Sequence, residues 1–228
     1  VAEQAIREHR PTVLWVETPS NPLLRISDVS ALAALGHAVG ATVVVDNTFC
    51  TPLGQRPLEL GADLVVHSAT KYLAGHSDVV SGAVVCSTEA QAEDLAWWAN
   101  CLGVTGGAFD CYLALRGLRS LHARMAVHES NAAQIVTLLT DHPAVTAVHH
   151  ASLASHPGHE LAARQQRLFG GIVTFELGGG LPAAQACMDG LRLFCPAESL
   201  GGTESLVSHP ATMTHAAMPP QVQAAAGI

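Results

Sequence analysis

Two residues of opposite chemistry stand behind short apolar runs in this chain. Lys71 follows Leu64-Val65-Val66 within Asp63-Leu64-Val65-Val66-His67-Ser68-Ala69-Thr70-Lys71-Tyr72-Leu73-Ala74-Gly75-His76-Ser77, and Asp46 closes Ala41-Thr42-Val43-Val44-Val45. Both runs predict buried strands. A lysine at a strand end, flanked by Ser68 and Thr70, brings an amine that can condense with an aldehyde and hydroxyls that can hold phosphate oxygens. A carboxylate delivered to the same edge of a parallel sheet can keep a pyridine nitrogen protonated, which makes that ring an electron sink. The pair suggests pyridoxal 5'-phosphate. Each residue taken singly has an ordinary alternative: a solvated loop charge for the lysine, a turn or helix cap for the aspartate.

The elements that must position the pair follow from the hydrophobic pattern. Strands are predicted at 12–16, 42–45, 64–66 and 82–86, with a helix over 29–39. Short strands separated by helical or long connections imply crossovers and a mainly parallel sheet covered on both faces. Ligands then gather at the carboxyl ends of the strands, where Asp46 and Lys71 fall. Apolar positions recur at three and four over 89–100 and 109–139, which predicts two helices, the second linking two domains. Beyond it come strands at 145–149 and 171–177, a helix over 182–190 and further strand material at 191–195 and 205–208. This is an α/β fold with a smaller α+β second part.

Composition narrows the function classes. With 49% hydrophobic residues in 228, the chain can bury a core. Eleven Lys and Arg against nineteen Asp and Glu give a net charge of −8 and no cationic cluster, so nucleic-acid binding has no electrostatic footing. No apolar stretch approaches the roughly eighteen residues that span a bilayer, and Val1-Ala2-Glu3-Gln4-Ala5-Ile6-Arg7-Glu8 lacks the layout of a signal peptide; a cytoplasmic protein is expected. The six cysteines form no C-x-x-C pair and predict buried reduced thiols rather than a disulfide frame. Thirteen histidines fall in no zinc spacing, so no metal is expected. Trp97-Trp98 has no basic neighbour and reads as core or subunit-interface packing, and Arg116 and Arg119 as a solvated or interface face.

The stretch from Asp63 to Ser77 resembles the cofactor-attachment signature of the Cys/Met-metabolism (transsulfuration) family of pyridoxal-phosphate enzymes, and Val45-Asp46-Asn47-Thr48-Phe49 resembles the segment before it. Further likeness lies in Glu17-Thr18-Pro19-Ser20-Asn21-Pro22, Trp97-Trp98-Ala99-Asn100, Gly103 to Asp110, Ala197-Glu198-Ser199-Leu200-Gly201-Gly202, and Ser208 to Ala216. Within the family the wording is most similar to bacterial cystathionine γ-synthases.

The resemblance implies fold type I, with residues 1–129 as the C-terminal part of the large cofactor-binding domain and 130–228 as the small α+β domain, both incomplete. It implies that Lys71 carries the cofactor and moves protons among Cα, C4′ and Cβ, a task suited to an amine whose pKa falls on desolvation. Asp46 would pair with the pyridine nitrogen, Thr48 and Asn21 would lie against the ring and its phenolic oxygen, and Ser68 and Thr70 would hold phosphate. For Asn21 an ordinary Ser-Asn-Pro turn is the alternative. Ser199 would help bind the substrate carboxylate, with Glu198 near its distal groups; a polar turn before the glycines is the plain alternative. A glutamate there is typical of γ-acting members, unlike the tyrosine of β-lyases.

The implied reaction is γ-replacement on O-succinyl- or O-acetylhomoserine by cysteine, with small amino acids as partners and a homotetramer, a dimer of dimers, for the full-length parent. An O-succinylhomoserine sulfhydrylase, a cystathionine γ-lyase, and a non-catalytic remnant that only associates with intact subunits are the alternatives. Full-length members carry a glycine-rich phosphate loop before the part matching Val1 and a carboxylate-clamping arginine after the part matching Ile228. The chain is therefore expected to be an interior piece with little turnover of its own.

Overall fold

Strand β2 (Thr42–Asp46) buries three successive valines, Val43, Val44 and Val45, because both of its faces are covered. In the computed structural model, which describes residues 2–228, β2 lies second in a four-stranded sheet of order β1-β2-β3-β4, with β1 at Val13–Glu17, β3 at Leu64–Ser68 and β4 at Gly82–Cys86. β1, β2 and β3 are parallel and β4 runs against β3. The carboxyl ends of three strands therefore share one edge. Register sets Glu17 opposite Asp46 and Asp46 opposite Val66.

Helix α1 (Ala2–His9) precedes β1, and helix α2 (Val29–Ala38) makes the crossover from β1 to β2. Asp28 caps α2 by accepting the Ala31 N–H at 2.9 Å. Its Val29 and Ala33 pack with Val16, Val43, Val45 and Ala62 to form the core on one face of the sheet. The return from β2 to β3 passes through the short helix α3 (Thr51–Gly54) and a 3-10 turn at Pro57–Leu60. Coverage on both faces, expected for the whole sheet, fails at its edges: Val13 and Trp15 of β1 and Val84 and Val85 of β4 are exposed. An edge strand has one neighbour fewer to bring cover with it.

Helix α4 (Glu89–Leu102) starts at a capping box between Thr88 and Gln91 and stops at Gly103. Helix α5 (Ala108–Thr140) then runs 33 residues without a break. The later segments are α6 (His159–Gln165), an antiparallel pair of β5 (Val145–His149) with β6 (Thr174–Leu177), α7 (Gly180–Gly190), a two-residue ladder of β7 (Cys195–Pro196) with β8 (Leu206–Val207), and α8 (Pro220–Ala226). Strand material expected at 191–195 and 205–208 shrinks to this ladder, since few partners are available to extend it.

The cysteine expectation needs correction as to burial, and the tryptophan one loses its core alternative. Of the six free thiols only Cys50 is buried, which pushes its pKa up to about 12, while Cys101, Cys111 and Cys195 are exposed. Trp97 and Trp98 meet edge to face with ring centroids 4.8 Å apart, yet 57% and 49% of their surfaces are accessible, so they are not core. Among the described residues no helix is long and apolar enough to cross a membrane.

A second core cluster, Ala69, Tyr72, Leu73, Leu121 and Met125, joins the segment after β3 to α5. This contact is possible because α5 presents Gly117 there: a methyl group on it would run into the carbonyl oxygen of Ala74, with the Leu73 oxygen only 2.7 Å away. Gly117→Ala is expected to destabilise by about 1–3 kcal/mol through overpacking. Thermal melts followed by circular dichroism should fall by about 2–4 °C per kcal/mol. Gly190→Ala, where nothing lies within 4 Å, should leave the melt unchanged or raise it slightly.

Candidate active site

Lys71 sits in a single π-helical turn, Ala69–Leu73, that begins directly where β3 ends. Its own backbone, at φ −89° and ψ −128°, is not helical, so the turn is kinked at the lysine. Such a conformation persists only where flanking contacts impose it. On the amino side Thr70 pairs with Ser81: the Thr70 N–H donates to the Ser81 carbonyl at 3.1 Å and the Ser81 N–H donates to Thr70 Oγ1 at 3.0 Å. On the carboxyl side the Gly75 N–H donates to the Lys71 carbonyl at 2.8 Å.

The Lys71 ammonium donates to Ser199 Oγ at 2.8 Å, across 128 residues of sequence. Ser199 holds φ at +128°, a region few side-chain-bearing residues occupy and one that costs on the order of 1–3 kcal/mol. Buried Gly201 lies directly against the Lys71–Tyr72 peptide, which brings the Ala197–Gly202 motif to the lysine. Glu198, next to Ser199, is exposed.

Asp46 ends β2 at the same sheet edge. Its Oδ1 accepts the Thr48 N–H at 3.0 Å, which fixes the carboxylate and leaves Oδ2 outside that turn. Thr48 Oγ1 in turn accepts the Ser68 N–H at 2.8 Å, tying the loop after β2 to the end of β3. Thr48 thus spends a lone pair and keeps its proton for another acceptor. The Ser68 hydroxyl has no partner among the described residues. Thr70 differs: its hydroxyl also lies 3.2 Å from the Ser81 carbonyl, so donating to a phosphate would mean releasing that oxygen.

Asn21 is exposed in a turn where its own N–H donates to Glu17 Oε1 at 2.7 Å. The structure therefore brings Lys71 to Ser199, and Asp46 and Thr48 to Ser68, while Asn21 follows β1 on the same edge with its side chain open to solvent. An amine, a fixed carboxylate and two hydroxyls suit an aldehyde-bearing pyridine phosphate in the chemistry of their donors.

Two residues next to these carry no catalytic pattern and passed unnoticed in the sequence. Asn47, fully buried, donates from Nδ2 to the carbonyls of Thr51 at 3.0 Å and Gln55 at 2.8 Å, and accepts from Gln55 Nε2 at 3.0 Å. Gln165 Nε2 continues the chain to Gln55 Oε1 at 3.1 Å. The sequence offers little signal for Asn47, since it stands between Asp46 and Thr48 and its burial comes from the fold. His67 lies buried on β3; burial holds its pKa below the usual value, partly offset by the negative charge of Asp46.

The profile of the "Cys/Met metabolism PLP-dependent enzyme" family matches residues 2–228. The chain belongs to that family. Pyridoxal phosphate is the cofactor of its members, and the present donor set is consistent with it. A cystathionine gamma-synthase of Escherichia coli K12 is 55% identical over 229 residues, 99% of this chain and 59% of that protein. A cystathionine gamma-lyase of Dictyostelium discoideum is 46% identical over 95% of this chain and 56% of its own length. Among solved structures, the cystathionine gamma synthase of Xanthomonas oryzae pv. oryzae in complex with aminoacrylate and cysteine superposes with a TM-score of 0.96 at 55% identity, covering 99% of this chain and 58% of that one. The chain thus spans under two thirds of the length of the relatives it matches, and those relatives carry more than one reaction name.

The titration of buried imidazoles gives the fold a pH dependence. Burial lowers the pKa of His67, His128, His150 and His156 from the ordinary 6.5. The unfolded chain then binds protons that the folded chain refuses, so stability is full above about 6.5 and is lost as pH falls below it. Melts at pH 7.5 and 5.5 should show the lower midpoint at pH 5.5. An equal or higher midpoint there would contradict the assignment.

Proposed function

We propose that this chain holds pyridoxal phosphate on Lys71 and supplies part of the site of a γ-replacement enzyme that makes cystathionine from an O-acylated homoserine and cysteine. The observation that carries the reading is the 2.8 Å contact between Lys71 Nζ and Ser199 Oγ, which joins the attachment turn to the Ala-Glu-Ser-Leu-Gly-Gly motif. The choice of γ-replacement is supported by 55% identity to a γ-synthase, against 46% to a γ-lyase, while Glu198 beside Ser199 supports a γ-acting over a β-acting enzyme.

When bound, pyridoxal phosphate supplies the electron sink for charge developing at the substrate's Cα. Lys71 is the group that holds it and that carries protons from Cα and Cβ once its amine is released. Ser199, already bonded to that amine, limits where it can swing and stands ready to meet the substrate carboxylate. Asp46, its orientation set by the Thr48 N–H, is the partner for the ring nitrogen. The Thr48 and Ser68 hydroxyls are the donors for the cofactor's oxygens, with Thr70 as a further donor if it releases Ser81, and Asn21 contributes from the β1 side.

The proposal extends to the whole protein. Residues 1–129 form the cofactor-binding portion and 130–228 the smaller one, in a homotetramer to which the exposed Trp97, Trp98, Leu102, Phe109 and Tyr112 contribute apolar surface. Six unbridged thiols accord with a cytoplasmic setting.

Adding pyridoxal phosphate to the chain should give a visible absorption band, and borohydride should trap the cofactor on the peptide containing Lys71. Lys71→Ala should abolish both, and in the active protein should cut the rate by at least about a hundredfold, the usual contribution of a positioned base. With O-succinyl- or O-acetylhomoserine and cysteine the expected product is cystathionine. Faster reaction with sulfide, or net cleavage of cystathionine, would transfer the assignment to a sulfhydrylase or a γ-lyase. A chain that stays colourless with the cofactor would overturn the site itself.

A further inference from the structure

Arg124 lies half-buried on α5, and among the described residues no carboxylate pairs with it. Its guanidinium is satisfied by oxygen dipoles alone. Nη1 donates to the Tyr72 carbonyl at 2.8 Å, Nη2 to the Gly117 carbonyl at 2.8 Å and the Leu73 carbonyl at 3.4 Å, and Nε to Ser120 Oγ at 3.0 Å. Tyr72 and Leu73 are the last two residues of the π turn, so their carbonyls are ones a longer helix would have paired internally. The chain instead reverses at Gly75, at φ +69°, where any side chain would collide with this guanidinium.

A cation at the carboxyl end of a turn also meets the negative end of its dipole. The kink at Lys71 is therefore pinned from both sides, by Ser81 through Thr70 before the lysine and by Arg124 after it. The planar fork of an arginine can reach two successive carbonyls and its own helix at once, which a lysine cannot.

We propose that Arg124 is a positioning residue for Lys71: its fork fixes the turn after the lysine and so fixes the direction in which the amine leaves the backbone. The proposal rests on the cofactor reading above and adds a residue that touches neither cofactor nor substrate. Released from the fork, the turn can regain helical dihedrals at Lys71, and the amine then leaves the line toward Ser199.

Two measurements on the full chain test it, with Arg124→Met, Arg124→Lys and the exposed Arg116→Met as control. Amide hydrogen exchange without cofactor should be faster by about tenfold or more at Ala74 and Gly75 in Arg124→Met, as loss of a charge-assisted hydrogen bond implies. With pyridoxal phosphate, the same variant should show weaker borohydride trapping at Lys71 and a shifted pH midpoint of the visible band. Arg124→Lys should recover part of both, and Arg116→Met should match the unsubstituted chain. Unchanged exchange over 69–77 overturns the proposal. So does exchange that rises equally in β2 and α2, because the arginine would then be stabilising the fold at large. If the unsubstituted chain gives no lysine-linked band, the cofactor reading fails and the exchange measurement alone decides whether Arg124 holds the turn.

Discussion

The lysine turn depends on how closely a helix can approach a backbone that is itself not helical. Helix α5 reaches Ala74 only through Gly117, and that approach sets Leu121 and Met125 beneath Tyr72 and Leu73. From there Arg124 lies within reach of the turn's carbonyls, and the Ala197–Gly202 segment can close over its other side. Were α5 a side chain's width further out, the apolar contacts, the carbonyl pairing and the place of Ser199 would all loosen together. Dense interiors transmit such a shift rather than absorb it.

The acidic half of the site rests on different bonds. Parallel pairing of β2 with β3 puts the two strand ends side by side, and the Thr48–Ser68 hydrogen bond holds their loops in one relation. Behind Asp46 the amides of Asn47, Gln55 and Gln165 satisfy one another and the loop's carbonyls. A buried polar chain of this kind stabilises one arrangement strongly because breaking any member strands the others. Carboxylate and amine are thus held by different networks, joined through the sheet and through the Thr48–Ser68 bond at the start of the lysine turn.

The central architecture was legible because its signals are local. Three consecutive valines before Asp46 need cover on both faces, and apolar positions recurring at three and four mark the α4 and α5 helices. Helices α1, α6 and α8, of eight, seven and seven residues, are not legible in the sequence since helices so short are marginal without tertiary contacts. The π turn is not legible either, because its shape comes from Ser81 and Arg124 rather than from the Ala-Thr-Lys-Tyr-Leu sequence. Thr70 illustrates the limit at the site: a hydroxyl beside the lysine suggests phosphate, but only the fold reveals that Ser81 already uses it. Family likeness gives Ser199 a role toward the substrate carboxylate, but its bond to Lys71 comes from the fold, as nothing in its own neighbourhood points to a partner so distant.

Distance along the chain also orders events in time. Ribosomal synthesis delivers β1, β2, β3 and the lysine turn early, whereas the hydroxyl that steadies the amine comes 128 residues later and the amide that completes the Gln55 chain 110 residues later. A nascent polypeptide therefore presents the lysine amine, on a turn that Ser81 and Arg124 can already hold, before the hydroxyl that receives it has been made. Whatever selection the Ala197–Gly202 segment exerts on that amine can begin only once the segment has been translated.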